Sequence, residues 1–434
     1  MVERAHTATV RLWGERVGAV AWLKDRQVAA FEFAPAFLAS RWDVAPLTMP
    51  LGTARGRVFM FPTLNPETYL GLPGLLADAL PDKFGNAVID AWLARIGRSA
   101  AGLSPVERLC YVGARGMGAL EFEPALMRGL ARGVPVEVGA LVGVARTIMS
   151  ARGRIDVRLG DGEGPDRDAL RAILRVGTSA GGTRPKAVIA MNAEGRVLSG
   201  QAVAPAGFDD WLIKFDGVAD RELGAPEDYG RIEYGYYLMA RAAGIDMTEC
   251  RLLEENGRAH FMTRRFDRQG GEKRHVQSLC GIAHYDYNAP GHYGYEQAFA
   301  VMRRLRLAKT EAIQQYRRMV FNVVARNQDD HTKNIAFLMD RDGRWRLAPA
   351  FDMVYARNPT GHWTDHHQMT INGKRDHFTR ADLIAVGESI GISKPREILD
   401  EIVGVAADWP AYASRAGVDP QRARQILETL RLAW

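Results

Sequence analysis

The chain has 434 residues, 47% hydrophobic and 25% charged, with a formal net charge of +6. That length exceeds what a single core fills, so two or more packed units are expected; the composition excludes a disordered chain, and no apolar run approaches the ~20 residues of a membrane span. Cys110, Cys250 and Cys280 lie too far apart for a disulfide framework or a C-x-x-C zinc site, and the positive charge, spread along the chain, permits an acidic partner or DNA without requiring one.

The N-terminal stretch Met1 to His6 has no apolar run with a cleavage site, so a cytoplasmic chain is expected. Thr9 to Trp13, Val17 to Trp22 and Val28 to Phe33 read as a β-meander, and Pro46 to Leu51 and Arg57 to Phe61 continue as extended chain. Leu75 to Ile96 has helical periodicity broken at Pro81-Asp82. Ser104-Pro105-Val106-Glu107 is a capping box with proline at the first helical position, after which Tyr111 to Phe122 returns through glycines to an extended segment. Val138 to Ala151 reads as a helix and 160–165 as a polar loop.

Chemistry begins at Gly177-Thr178-Ser179-Ala180-Gly181-Gly182-Thr183-Arg184-Pro185-Lys186, which leads into a strand from Ala187 to Met191. Glycines let backbone N–H groups approach a phosphate, and Arg184 and Lys186 add charge; no Gly-Lys-Ser/Thr opens a helix, so this is not a Walker loop, and a plain glycine turn has the same composition. Trp211 to Phe215 is a strand with apolar odd positions, leaving Lys214 on the face of Leu212, where an ammonium needs a partner. Glu233, on a helix from Arg231 to Ala243, is a candidate for that partner, as in kinases, although a glutamate there also suits the helix dipole. Phe266, after the strand from His260 to Thr263, is placed to stack on an adenine ring or to fill a core.

Helices from Tyr295 to Leu305 and Thr310 to Ala325 deliver Arg326-Asn327-Gln328-Asp329-Asp330-His331-Thr332-Lys333-Asn334. Asp329 and Asn334 have the D-x-x-x-x-N spacing in which a kinase aspartate receives a hydroxyl proton and the asparagine holds Mg²⁺. Ile335 to Met339, the turn Asp340-Arg341-Asp342-Gly343 and Arg344 to Leu347 form a hairpin that brings Asp352 back beside Asn334, two hard oxygen donors for one cation. His362, His366 and His367 lie in a loop with Gly361 and Thr364, and no metal is expected there. The region from Ala381 to Trp434 is helical.

In this order the pieces resemble the HipA family of serine/threonine kinase toxins from bacterial toxin–antitoxin systems, over nearly the whole chain. Leu12-Trp13-Gly14, Ala79-Leu80-Pro81-Asp82 and Gly116-Met117-Gly118-Ala119-Leu120 are similar to its N-terminal subdomain, Ser179 to Lys186 to its glycine-rich loop, and Asp329 to Asn334 with Asp352 to its catalytic loop and metal aspartate. The resemblance implies an α/β (α+β), two-lobed protein-kinase-like fold: a β-rich subdomain over 1–130, a nucleotide lobe over 131–268 and a mainly helical lobe over 269–434. It implies Mg-ATP as phosphoryl donor, Asp329 as proton acceptor, Asn334 and Asp352 as Mg²⁺ ligands and Lys214 on the ATP phosphates. Gly181, Gly182, Thr183, Arg184 and His331 would line the nucleotide site and Phe266 the adenine.

Ser179 matches the loop serine that such kinases autophosphorylate to inactivate themselves, and two added negative charges would indeed repel a loop from phosphates. The implied partners are a protein substrate, an aminoacyl-tRNA synthetase among them, and a small helix-turn-helix antitoxin through which operator DNA is bound. Arg264 departs from relatives with an acidic residue there, and Asp330 doubles the acid at the catalytic position, which leaves open which aspartate acts. Two other readings stand: a small-molecule phosphotransferase, since antibiotic and choline kinases share the Asp/Asn loop, and a catalytically silent protein that binds antitoxin and DNA.

Overall fold

A computed structural model describes residues 5–99, 102–126, 135–151, 184–199, 204–218 and 228–434. Ser179, Gly181, Gly182 and Thr183 of the glycine-rich loop, and the polar loop at 160–165, lie outside these residues. The chain divides into two compact units, one of Met1–Val44, Met49–Glu227 and Arg251–Val276, the other of Ala45–Thr48, Asp228–Cys250 and Gln277–Trp434.

Among the described residues the first unit holds two five-stranded sheets. In one, β1 (Thr7–Leu12), β2 (Glu15–Leu23), β3 (Val28–Phe33), β4 (Val58–Phe59) and β5 (Leu120–Glu123) take the order β4-β3-β2-β1-β5. Alternation sets the inner face: Ala8, Val10 and Leu12 of β1 and Phe31 and Phe33 of β3 are buried, each large apolar side chain contributing about 1.5–3 kcal/mol. The extended chain expected over Pro46 to Leu51 is instead a turn ending in a single 3₁₀ turn at Leu51–Thr53; its two prolines cannot donate to a ladder. Helix α1 (Lys83–Arg95) starts where Pro81 stops the preceding turn and Asp82 Oδ1 accepts from Gly85 N–H at 2.6 Å. Helix α2 (Pro105–Val112) is capped by Ser104 Oγ, which accepts from Glu107 N–H at 3.1 Å. The carboxylate of buried Glu107 accepts from Arg98 Nη2 at 2.7 Å.

The second sheet has the order β7-β6-β8-β10-β9, from β6 (Lys186–Asn192), β7 (Val197–Ser199), β8 (Phe208–Lys214), β9 (Cys250–Glu255) and β10 (Arg258–Arg264). Ala187, Ile189, Trp211, Ile213 and Met262 on one face pack with Phe84 and Val88 of α1 and Val138, Leu141 and Val142 of α3 (Val138–Ala151). Period two therefore turns Lys186 and Lys214 to the other face.

An ionic knot fastens the end of β10 to the glycines before β5. Asp267, fully buried, accepts from Arg265 Nε at 2.9 Å, Arg265 Nη2 at 2.7 Å, Arg268 Nη1 at 2.7 Å and Gly118 N–H at 2.7 Å. Arg268 also donates to the carbonyls of Gly116 and Gly118, each at 3.0 Å. Burial would raise the Asp267 pKa, but the Arg265 and Arg268 guanidinium groups outweigh it and hold the carboxyl well below its usual range.

The second unit is mainly helical: α4 (Tyr229–Ala242), α5 (Leu279–Ala283), α6 (Tyr295–Arg304), α7 (Lys309–Val324), α8 (Arg380–Ser389), α9 (Pro395–Ala407), α10 (Trp409–Ala416) and α11 (Pro420–Leu427). Its core gathers Tyr236 of α4, Tyr316, Val320 and Val323 of α7, Leu399 and Ile402 of α9 and Trp409. The expected hairpin is present as β11 (Ala336–Met339) and β12 (Trp345–Leu347), with Asp340 Oδ1 accepting from Asp342 N–H at 2.9 Å and Arg344 N–H at 3.0 Å across the turn. Glu311 at the start of α7 accepts from Leu347 N–H at 2.8 Å and Ala308 N–H at 2.8 Å, so one carboxylate fixes both the helix start and β12. No helix among the described residues is long and apolar enough to cross a membrane.

Candidate active site

Helix α7 ends at buried Ala325, whose carbonyl accepts from the Tyr236 hydroxyl at 2.6 Å, and Arg326 then takes a left-handed conformation at φ 56°. That turn directs the chain alongside the segment after β12: Gln328 N–H donates to Ala356 O at 3.0 Å and Ala356 N–H to Arg326 O at 3.1 Å, a parallel bridge at Asn327 and Ala356. Asp352, itself left-handed at φ 52°, is carried in with it, and Asn327 Nδ2 reaches its carbonyl at 3.4 Å. The return expected from the hairpin is thus made by backbone pairing on both sides of the loop.

The two adjacent aspartates face opposite environments. Asp330 is buried, and its carboxylate accepts from the Tyr295 hydroxyl at 2.9 Å and Gln368 N–H at 2.8 Å and lies 2.9 Å from His367 Nδ1. Burial would raise its pKa; the His367 ring and these donors hold it below the ordinary carboxylate value. Asn322 extends the network, donating to the Tyr295 oxygen at 3.0 Å and accepting from Asn327 at 2.9 Å.

Asp329 keeps 39% of its side-chain surface open. The enclosing chain and the Asp352 and Asp330 carboxylates push its pKa upward, while the His331 imidazole, 3.8 Å away, and the Trp363 indole N–H, donating at 2.6 Å, pull it down. Water at the open face weakens the effect of enclosure, so the rise is smaller than for a sealed carboxylate.

Asn334 donates its Nδ2 to Asp329 O at 2.8 Å. Only the nitrogen of a carboxamide can donate to a carbonyl, which leaves Oδ1 as a hard acceptor. That oxygen is a hard donor of the kind a small divalent cation takes, and the Asp352 carboxylate lies near enough to Asp329 to act on its pKa; no cluster of three or more histidine, cysteine or acidic side chains spaced for a metal is present among the described residues.

In the first unit Lys214 is half-buried, with Nζ 5.6 Å from the Phe261 ring centroid. The register sets Lys186 directly opposite it, and Lys186 is 2% exposed. The two cationic side chains therefore share one sheet face. Arg184 lies two residues before β6 and Phe266 is half-buried after β10. Glu233 is buried on α4 of the second unit.

Sequence reasoning missed four features. Trp363, His367 and Gln368 lie in an irregular segment with no periodicity to expose them, and His367 drew attention only as part of a histidine group. The Lys186–Lys214 pairing needed the strand register, which spacing within one strand does not contain.

The sequence matches two family models, the HipA N-terminal domain over residues 8–123 and the HipA-like C-terminal domain over residues 178–432. The fold is similar to HipA of Shewanella oneidensis MR-1, solved as a toxin–antitoxin system complex with HipB and its operator DNA, at a TM-score of 0.67 and 15% identity over 97% of this chain and 94% of that one. The Helicobacter pylori proinflammatory kinase CtkA aligns with 50% of this chain and 92% of its own at 12% identity and a TM-score of 0.32. No curated protein matches.

Proposed function

The chain belongs to the HipA family, and from that premise we propose that it transfers the γ-phosphoryl group of Mg-ATP to a serine or threonine hydroxyl of a protein, as the toxin of a toxin–antitoxin module. The observation that carries this reading is the division of labour at 329–330: a partly open carboxylate beside Asn334 and Asp352, with its neighbour withdrawn into the core.

In this reading Asp329 takes the acceptor proton while the hydroxyl oxygen bonds to the γ-phosphorus and the bond from that phosphorus to the ADP oxygen breaks. Asn334 Oδ1 and the Asp352 carboxylate would hold Mg²⁺, which supplies charge neutralisation at the phosphates when bound. Lys214 and Lys186 would meet phosphate oxygens, joined by Arg184 and the backbone of Gly181, Gly182 and Thr183; Phe266 would border the adenine and His331 the acid loop. Residues 1–130 form the added subdomain of this scheme, 131–268 the nucleotide lobe and 269–434 the acceptor lobe. Ser179 is the autophosphorylation site, a modification that would drive its loop from the phosphates. The solved Shewanella complex contains HipB and operator DNA; for this chain the proposed partner is likewise a small helix-turn-helix antitoxin.

The test is intact mass after incubation with Mg-ATP, wild type beside Asp329→Asn, with peptide mapping. Phosphate on Ser179 in the wild type alone is the expected result. No phosphate and no ATP-dependent thermal stabilisation would move a silent binding protein ahead. Stabilisation without phosphate would point to an outside acceptor, with a small-molecule hydroxyl among the candidates.

A further inference from the structure

The kinase reading leaves Trp363 without a task, although its indole N–H donates at 2.6 Å to Oδ1 of Asp329, the carboxylate assigned to the acceptor hydroxyl. The segment that carries it is fastened on both sides of that aspartate. On one side Gln328 Nε2 donates to Asp365 O at 3.1 Å; on the other, Asp330 accepts from Gln368 N–H at 2.8 Å and meets His367 Nδ1 at 2.9 Å. The Gln368 carboxamide closes the segment on itself, donating to the carbonyls of Trp363 and, at 3.2 Å, His366. The indole then stands edge-on to His331, with ring centroids 6.3 Å apart.

Asn334 does not perform the same service. It bonds the main-chain oxygen of Asp329 and so fixes the backbone, whereas the terminal torsion of an aspartate is broad and about two-fold. One strong donor on Oδ1 removes that rotation, and the side chain remains 39% open. We propose that Trp363 is a positioning residue: its N–H locks the plane of the Asp329 carboxylate, holding Oδ1 and presenting Oδ2 to the acceptor hydroxyl. The segment from Trp363 to Gln368 is then part of the phosphoryl-transfer apparatus, clamped in register with the acid loop through residues 328 and 330. This rests on the kinase reading and assigns to it an orienting group that neither spacing nor motif contains.

A positioning role separates rate from binding. Trp363→Phe, which keeps a ring and loses the N–H, should slow single-turnover transfer from Mg-[γ-³²P]ATP to the protein itself or to casein by about 10- to 100-fold, with Mg-ATP affinity changed less than about two-fold. Replacing Trp363 with β-(3-benzothienyl)alanine, an isostere with sulfur in place of N–H, should do the same without disturbing packing. A transfer rate within about two-fold of wild type in either variant overturns the proposal. So does a loss of rate matched by an equal loss of ATP affinity and a lowered melting temperature in the isostere, because that would make the contact merely structural. Wild type run beside Asp329→Asn separates the two levels: a wild type no faster than Asp329→Asn removes the kinase reading and this proposal together, whereas an active wild type with an unaffected isostere removes only the role of Trp363.

Discussion

Replacing Asp267 by asparagine should destabilise the first unit more than any exposed ion-pair change. Asp267 is wholly enclosed and accepts hydrogen bonds from Arg265, Arg268 and Gly118, so the isosteric change leaves two buried guanidinium groups without their hydrogen-bonded counter-charge, with Asp210 as the remaining nearby carboxylate. Breaking a buried pair in this way costs about 3–5 kcal/mol. At about 2–4 °C per kcal/mol for a unit of this size, the melting transition should fall by roughly 6–20 °C. The internal control is Arg11→Ala, which removes a solvent-screened ion pair to Glu123 whose side chains are 34% and 53% exposed and should leave the transition nearly where it is. Urea titration of both variants, followed by tryptophan fluorescence, measures the difference. The pH dependence has a definite sign: the folded-state pKa of Asp267 lies below its unfolded value, so its contribution is complete above about pH 4 and is lost as the pH falls toward the folded pKa. Asp267→Asn should remove that part of the acid slope. A loss of less than about 1 kcal/mol, or an unchanged acid slope, would refute the view that this knot holds β10 to the glycines at 116–118.

The other predictions concern the site and one buried histidine. Asp330→Ala strips the acceptor from Tyr295, His367 and Gln368 N–H and should cost about 3–5 kcal/mol in urea titration, whereas Asp329→Ala should stay within about 1 kcal/mol; equal losses would contradict the assignment of Asp330 as the structural acid. Lys186→Met should weaken Mg-ATP binding about ten-fold by calorimetry, a change of about 1.4 kcal/mol, and unchanged affinity would remove the paired lysines from the phosphate site. His275 is fully buried, which depresses its pKa to about 4. The unfolded chain protonates this histidine below about pH 6.5 and the folded chain refuses the proton until about pH 4, so stability should decline across that interval by up to about 3 kcal/mol. His275→Gln should flatten that slope in denaturation curves taken from pH 7 to 4.

Local patterns made most elements readable before any coordinates. The meander, the break at Pro81-Asp82, the helix over Val138–Ala151 and the hairpin after Asn334 follow from periodicity and turn chemistry, which act within a few residues. The partners of Glu107 and of the charged residues around Phe266 escaped such patterns for one reason. Glu107 was read as closing a capping box, and Arg98, nine residues earlier, takes its carboxylate. Phe266 drew attention as a possible adenine neighbour, while the charged residues around it form the knot with Gly116 and Gly118, about 150 positions away. Such partners are chosen by packing, and nothing in the spacing of either segment names the other.

The same limit explains why the spacing that singles out residues 329–334 does not tell its two aspartates apart. Asp329 and Asp330 are the same residue type in consecutive positions, and along an irregular loop their side chains are directed apart. The one turned inward meets Tyr295 from α6 and His367 from the later segment, whose donors outweigh the cost of burial and keep it ionised. The one turned outward keeps an open face, has Asp352 to raise its pKa and has a single indole donor to orient it. Asp330 thereby performs for the loop what a buried apolar anchor would do elsewhere, but with a directional bond to the segment bearing Trp363. Removing the anchor should therefore also loosen the orienting tryptophan, so that an Asp330 variant that still folds loses transfer rate through Asp329 without touching the substrate itself. Two identical side chains have separate environments because their partners differ.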